Sequence, residues 1–443
     1  MTPSARIARL SAAFLGSNLA RAAIGFGLSF ALARGLGTER FGRWIFCIAW
    51  ASTLTVVVDL GFGVLLTRDA ARAGSDAGRL LSGALVLRLA LAVPLAALMF
   101  AGATQLSSDP ETIAGLRVAA LLGAAGAAYG CFGALFRSQP RWLPAVLAIE
   151  TTWLALQLAG AVAWLGLGGA GGLTALMTLS LGIQLAQIAT AIACWRLVFG
   201  DRGRVSVLSV DALAILVRRA LPFAASGIVA NVQARIGPLL LGYLSSPSEI
   251  GLFAAASRFG SVARLAPQAV FAGALPVFSH EHARGDGGDT AARLFRPFDR
   301  ALMIGAAAFA TICALFAAPV LGLVYGPSFA GAAPVLVWVS VGLIPLLSNS
   351  GRKVFLYATG GEAMAVRWSA VALFIQVCVG VWLIPGMGGA GAAVSIAAGE
   401  AVIWWPLRRR LRMSAPSSPR RAPASIHARL TPVSPVSQDP ESA

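Results

Sequence analysis

Long apolar stretches run through this chain, and the short connections between them alternate in arginine content. Arg68, Arg72 and Arg79 share one connection, and the next, at 107–111, has no basic residue. Arg137 and Arg141 follow, then a bare turn at 166–172. Arg196, Arg202, Arg204, Arg218 and Arg219 precede a bare turn at 245–249. Arg284, Arg293, Arg296 and Arg300 precede a bare turn at 326–333, and Arg352, Lys353 and Arg367 precede another at 385–391. Arg408, Arg409, Arg410 and Arg412 close the apolar region. Connections retained in the cytoplasm carry an excess of Arg and Lys, and translocated ones do not. The alternation therefore specifies a polytopic membrane protein, its orientation and its helix count together.

Composition agrees. Only 12% of the 443 residues are charged, and the mean hydropathy is +0.77. A soluble domain carries about 25% charged residues, so most of this surface must face something other than water. A formal charge of +17 would suit nucleic acid. The basic residues instead lie mostly on cytoplasmic connections, where anionic headgroups and the inside-negative potential account for them. Membrane lipids are thus the expected partners, and nucleic acid is not. Cys47, Cys131, Cys194, Cys313 and Cys378 sit in separate apolar stretches without a CxxC, and read as small buried hydrophobes. His280 and His282 flank Glu281 but lack a third ligand, so no metal site is expected. Arg6 and Arg9 precede an apolar run to about Ala33. That run exceeds the about 7–15 residues of a signal-peptide core and reads as an uncleaved first span.

Twelve stretches emerge, at 8–34, 42–66, 79–103, 111–135, 141–165, 172–198, 213–243, 249–277, 298–325, 333–357, 364–385 and 390–409. Each is long enough for the ~20 residues that cross ~30 Å of hydrocarbon. The even count puts both termini in the cytoplasm. The first outer connection, with Arg34, Arg40 and Arg43 beside Glu39, breaks the charge rule and has no explanation at this level. Two connections repeat. Ser248-Glu249-Ile250-Gly251-Leu252-Phe253 echoes Glu39-Arg40-Phe41-Gly42-Arg43-Trp44 when Gly251 is aligned on Gly42, and Gly388-Gly389-Ala390-Gly391 matches Gly168-Gly169-Ala170-Gly171. Both matches are six spans apart, which implies two halves related by an axis along the membrane normal. The predicted fold is an all-α membrane protein of about 12 transmembrane helices in two six-helix lobes around a central cleft. Its parts are an N-terminal lobe at 1–199, a cytoplasmic linker at 200–212, a C-terminal lobe at 213–410 and a Ser-, Pro- and Arg-rich disordered tail at 411–443. Gly126 and Gly130 stand in GxxxG spacing for close helix packing. Pro94, Pro238, Pro267 and Pro345 fall inside spans and can bend them.

A charge at the bilayer centre costs at least ~2.5–3.5 kcal/mol, so mid-span charges need partners, water or a ligand. Asn18, Arg21, Gly25 and Ser29 share one face of span 1, and Gly227, Asn231, Arg235 and Pro238 share one face of span 7. Span 8 aligns Ser257, Ser261, Arg264 and Gln268, with Arg258 on the edge of that stripe. If these spans line the cleft, arginines from both halves look into it, and the guanidinium fork suits phosphate. Asn18, Arg21, Asn231, Arg235, Arg258, Arg264 and Gln268 are the candidate substrate-binding residues. The competing role for such arginines is snorkelling or structural pairing, which Arg88 and Arg117, nearer span ends, could also adopt. Asp59, Glu150 and Glu400 are the candidate ion-coupling groups; each could instead neutralise an arginine. No Walker A, GxSxG, HExxH or DxD pattern is present, so neither an enzyme nor a cofactor site is expected.

Ala220-Leu221-Pro222-Phe223, Gln233-Ala234-Arg235, Gly242-Tyr243-Leu244-Ser245 and the run from Glu249 through Ile250-Gly251-Leu252-Phe253 to Ser257-Arg258 resemble the span 7–8 signature of polysaccharide transporters. That family includes the bacterial O-antigen flippases, in the superfamily that also holds multidrug extruders and the lipid II flippase. Gly35-Leu36-Gly37-Thr38-Glu39-Arg40-Phe41-Gly42 and Leu60-Gly61-Phe62-Gly63 resemble its first hairpin. Tyr325-Gly326-Pro327-Ser328-Phe329 and Ile384-Pro385-Gly386-Met387-Gly388 match later connections, so the similarity runs over nearly all of 8–409. Twelve spans favour the polysaccharide branch over the 14-span lipid II flippase. The resemblance implies a bacterial inner-membrane flippase that moves an undecaprenyl-diphosphate-linked oligosaccharide (an O-antigen, exopolysaccharide or capsule unit) to the periplasmic leaflet by alternating access. Its pathway partners would be a glycan polymerase and glycosyltransferases. The competing functions are an ion-coupled extruder of small cations, a lipid II flippase, and a scaffold in a glycan-assembly complex.

Overall fold

The computed structural model describes residues 3–63, 65–67, 77–138, 142–199, 210–265, 267, 289–358 and 361–413. Ten long helices account for nearly all of them, and there is no strand among the described residues. They are α1 (Pro3–Asp59), α2 (Ala77–Ala101), α3 (Pro110–Ser138), α4 (Leu143–Gly166), α5 (Gly172–Phe199), α6 (Val210–Leu244), α7 (Pro247–Ala263), α8 (Asp289–Tyr325), α9 (Ala333–Ala358) and α10 (Glu362–Met413). A helical turn, Ala103–Leu106, follows α2, and a 3₁₀ helix, Pro327–Ala332, joins α8 to α9. The sequence stretches expected as the inter-lobe linker and the C-terminal tail fall almost wholly outside the described residues.

Eight described helices are long and apolar enough to cross a membrane. Two of them, Gly16–Asp59 and Ala363–Arg409, have 44 and 47 residues, about twice the ~20 needed. Each breaks at one glycine, Gly37 (φ 71°, ψ 179°) in α1 and Gly388 (φ 53°, ψ −131°) in α10. Those angles are open to glycine and closed to most side chains. Each broken helix therefore supplies two crossings, ten in all, and α6 and α7, which are not among the eight, stand where the sequence places the remaining two of the twelve. The connections expected at 35–41 and 385–391 are thus one-residue breaks. In lipid this is favourable, because almost every backbone group keeps its intrahelical partner.

One span is shorter than its apolar run suggested. Span 2, expected to reach 66, ends at Asp59, where Leu60 (φ 41°) and Gly61 (φ 78°) turn left-handed. Span 8 forms one helix to Ala263 with a turn at Arg264, and residues 268–277 of the stretch expected there lie outside the described residues. Pro267, three residues after Arg264, has no N–H for the carbonyl of Ala263.

The arginine-poor connections gather at one end. Arg43 Nη1 stands 3.1 Å from Asp109 and 3.0 Å from Glu111, and Glu111 accepts from the Leu173 N–H at 2.8 Å. In the second lobe, Glu249 accepts from the Gly389 N–H at 2.6 Å. In each lobe a glutamate thus meets the N-terminal end of the last crossing, where the helix dipole favours an anion. Two of the three arginines that break the charge rule, Arg43 and Arg34, have partners here. Arg43 is balanced by Glu39, Asp109 and Glu111. Arg34 donates to the Leu323 carbonyl of the other lobe at 2.9 Å and covers the Phe30 ring.

The lobes meet through α1 against α6 and α7. At their crossing, a Cβ on Gly42 would press on the Pro247 carbonyl, and one on Gly251 would press on the Thr38 carbonyl. Each glycine faces the carbonyl four residues before the other, as a two-fold relation between Gly42 and Gly251 requires. Ser248 Oγ and Thr38 Oγ1 lie 3.0 Å apart beside them. Phe41, Trp44, Phe46, Ile250, Phe253 and Phe329 form a continuous core across this contact. Elsewhere large apolar side chains stay exposed, among them Leu98, Leu323, Phe374 and Trp382, as a lipid-facing surface requires.

Candidate functional site

Two cavities adjoin between the lobes. The first, about 670 Å³, lies among α1, α6, α7, α9 and α10; the second, about 510 Å³, enters the N-terminal lobe among α1, α3, α4 and α5. Ile48, Arg235 and Arg258 belong to both walls, so the cavities meet at those side chains.

Arg235 is half-buried on α6. Its Nε donates to Ser52 Oγ of α1 at 2.8 Å, and its Nη1 donates to the Asn231 carbonyl and Oδ1, each at 3.1 Å. Asn231 is itself anchored by donating to the Gly227 carbonyl at 2.8 Å. Hydroxyl and amide thus hold the guanidinium in place without cancelling its charge. Arg264 Nε donates to the Gly260 carbonyl at 3.2 Å, within its own helix. Arg258 lines both cavities. Among the described residues, no carboxylate lies within ion-pair distance of Arg235, Arg258 or Arg264.

Arg21 differs. Its Nη1 lies 2.6 Å from Glu150 Oε2, and Arg137 pairs with the other oxygen of the same carboxylate. Arg21 does line the second cavity, but with its charge shared. Asn18 lies in the wall of neither cavity, and Gln268 lies outside the described residues.

All three acids named from sequence are engaged. Asp59 pairs with the buried Arg88, which also donates to the Ala127 carbonyl at 3.2 Å. Glu400 is 4% exposed. It accepts from Gln233 at 2.9 Å and Asn349 at 2.8 Å, with the Lys353 ammonium at 3.9 Å. Arg117 stacks on the Phe100 ring. Sequence reasoning missed three groups: the amide and ammonium partners of Glu400, the Asp299–Arg352 pair (3.0 Å) that ties α8 to α9, and the amides of the second cavity. The last carried a usable signal, since Ser180, Gln184 and Gln187 recur at i, i+4 and i+7 in an apolar span. No group of three or more His, Cys, Asp or Glu suits a metal among the described residues.

The site is therefore a cationic recess between two lobes, with one flank on which two guanidiniums share a single carboxylate. Such a recess attracts anions through the summed field of its arginines. The sequence profile of the family described as Polysaccharide biosynthesis protein matches residues 8–282. The chain belongs to that family. No curated protein sequence matches the chain. Among solved structures, an inward-facing multidrug-resistance MATE-family transporter of the MOP superfamily matches with TM-score 0.70 at 16% identity, over 90% of this chain and 96% of that one. The lipid II flippase MurJ in its inward closed conformation matches with TM-score 0.71 at 11% identity, over 89% and 86%. An MOP-superfamily transporter from Pyrococcus furiosus, distinguished by reverse polarity of its binding pocket, matches with TM-score 0.60 at 12% identity, over 94% and 98%. This member of the polysaccharide biosynthesis family thus has the two-lobed MOP-superfamily fold.

Proposed function

We propose that the protein is a flippase for an undecaprenyl-diphosphate-linked oligosaccharide, moved from the cytoplasmic to the periplasmic leaflet of a bacterial inner membrane by alternating access. The observation that carries this reading is the trio Arg235, Arg258 and Arg264 in one inter-lobe cavity, none within ion-pair distance of a carboxylate among the described residues, although Glu400 lines the same wall. A permanent positive charge at membrane depth is costly unless an anion answers it, and a diphosphate can engage several guanidinium forks at once. Family membership supports a glycan substrate. The flippase MurJ and the reversed-polarity transporter are precedents on the same fold for a lipid-linked cargo and for a changed pocket charge.

The polyprenyl chain stays in the bilayer while the head traverses the recess. The two six-span lobes, 1–199 and 213–410, rock so that the contact at Gly42 and Gly251 opens and closes, with both termini cytoplasmic. Outward movement of two negative charges is favoured by about 4–5 kcal/mol at 100 mV. A glycan polymerase and glycosyltransferases of the same pathway are the natural partners. O-antigen, capsule and exopolysaccharide units share the chemistry invoked here.

The extruder of small cations is the weaker reading. It needs a free acid in the N-terminal lobe, and Asp59 and Glu150 are both taken by arginines. The deciding experiment is glycan export in cells carrying Arg235→Ala or Arg258→Ala. Export should collapse while membrane insertion stays normal; full export by both variants would remove the diphosphate clamp. Drug resistance on overexpression, lost in Asp59→Asn, would support the extruder instead.

A further inference from the structure

The second cavity holds a chemistry that the arginines do not explain. On α4, Trp153 and Gln157 follow Glu150 at i+3 and i+7; on α5, Gln184 and Gln187 follow Ser180 at i+4 and i+7. These stripes share one cavity with Trp44 of α1. Gln157 donates to Ser180 Oγ, and Gln184 Nε2 donates to Gln187 Oε1 at 3.1 Å. A primary amide has two donors and a carbonyl with two lone pairs, so capacity remains toward the cavity. Trp44 is 4% exposed, and its indole N–H has no hydrogen-bond partner among the described residues. Leaving such a donor unanswered costs about 1–3 kcal/mol.

Neither acyl chains nor cations explain this wall. An acyl chain cannot use amide donors. A cation would need carboxylate, and Glu150 is already shared by Arg21 and Arg137. Neutral amides, a hydroxyl and indole faces suit a neutral polyhydroxylated group. Amides can donate to and accept from its hydroxyls, and indoles can cover its C–H faces. Arg235 and Arg258 stand where the two cavities join. A diphosphate held there would direct an attached group into the second cavity.

We propose that the cavity lined by Trp44, Trp153, Gln157, Ser180, Gln184 and Gln187 is a saccharide subsite, which binds the first sugars of the cargo while the C-terminal lobe holds the diphosphate. This assignment rests on the lipid-linked reading above and adds a division of labour: the N-terminal lobe reads the sugar and the C-terminal lobe reads the charge.

The test uses the purified full chain in liposomes and two probes, undecaprenyl diphosphate and undecaprenyl diphosphate bearing one N-acetylglucosamine. Wild type should bind both, the glycosylated probe more tightly. Gln157→Leu and Gln184→Leu should each lower affinity for the glycosylated probe about tenfold and leave the sugar-free probe unchanged. Arg235→Ala should weaken both. Variants are compared only when monodisperse, with Gln157→Ala and Gln184→Ala replacing any that aggregates. Amide variants that keep the full sugar preference, or that weaken both probes equally, overturn the subsite. Wild type that binds both probes equally overturns it too, and leaves the diphosphate reading intact. Wild type that binds neither probe overturns the lipid-linked reading and the subsite with it.

Discussion

The two lobes share a topology and differ in what they present to the space between them. On the N-terminal side, one carboxylate, Glu150, holds both Arg21 and Arg137, and the remaining wall is amide, hydroxyl and indole. On the C-terminal side, Arg235 is held by Ser52 and Asn231, which leave its charge intact, and Glu400 is enclosed by Gln233, Asn349 and Lys353. Duplicated folds keep their packing, as the reciprocal seating of Gly42 and Gly251 demonstrates. Their cavity walls are free to diverge, because side chains facing water or ligand carry little of the packing. The lesson is that charge in a membrane cavity is set by second partners. Counting arginines on helix faces overstates one lobe and describes the other.

The sharpest way to break this contrast is to remove charge from the C-terminal side. Loss of a charge-assisted hydrogen bond costs about 1.5–3 kcal/mol, so Arg235→Ala or Arg258→Ala should weaken diphosphate binding about 10- to 150-fold. Arg21→Ala should weaken it far less, because Glu150 already holds that guanidinium. Equal losses from all three, measured with the sugar-free probe, would erase the distinction between the lobes.

The next effect concerns the feature that the lobes share. Gly251→Leu puts a side chain where Thr38 and Gly42 backbone now stand. Overpacking of that kind costs about 1–3 kcal/mol, and it should hold the lobes apart at the arginine-poor end and slow transport. Cysteines at Thr38 and Ser248, whose hydroxyls are 3.0 Å apart, should form an oxidative cross-link that stops transport until reduced. Transport unaffected by the cross-link would show that this contact never opens.

Glu150→Gln should remove the neutralisation of the N-terminal wall. Its two arginine partners are partly exposed, with side chains 41% and 37% accessible. The loss should therefore stay below the about 3–5 kcal/mol of a fully buried pair. A lower melting temperature in detergent, together with tighter binding of the sugar-free probe, is the expected pair of readings. An unchanged melting temperature would mean that Glu150 does no structural work.

The smallest effect is a cap. Asp109 accepts from the Thr112 N–H at 2.8 Å at the start of α3, with Pro110 in the first turn. Asp109→Ala should cost about 1 kcal/mol, read as a small drop in melting temperature. Burial pushes this carboxyl up, but the Thr112 hydroxyl and N–H, together with Arg43, hold it below its usual range. That stabilisation is present above the ordinary Asp value of about 3.9 and is lost as pH falls through the lower folded-state value. The wild-type melting temperature should fall with acid across this window by more than that of Asp109→Ala.

Much of the architecture could be read before any coordinates. Arginine alternation sorted the connections, and the arginine-poor ones do meet at one end. The match of Gly251 to Gly42 predicted a pseudo-symmetric pair, and those glycines are in mutual contact. Helical spacing brought Arg235, Arg258 and Arg264 to one cavity wall. Pairing across helices was not legible. Asp59 meets Arg88 across 29 positions, Arg21 meets Glu150 across 129, and Gln233 meets Glu400 across 167. No local pattern encodes such a meeting.

The sequence alone determined that this chain lies in a membrane, how many times it crosses and how its halves repeat. Those properties follow from local hydropathy and connection charge, which act residue by residue on insertion. The tertiary structure alone decided which charges remain available to a ligand. A carboxylate about 3 Å away offsets a guanidinium's charge, and that neighbour arrives from a distant helix. Glu150 reaches Arg21 in this way, and among the described residues no carboxylate does so for Arg235.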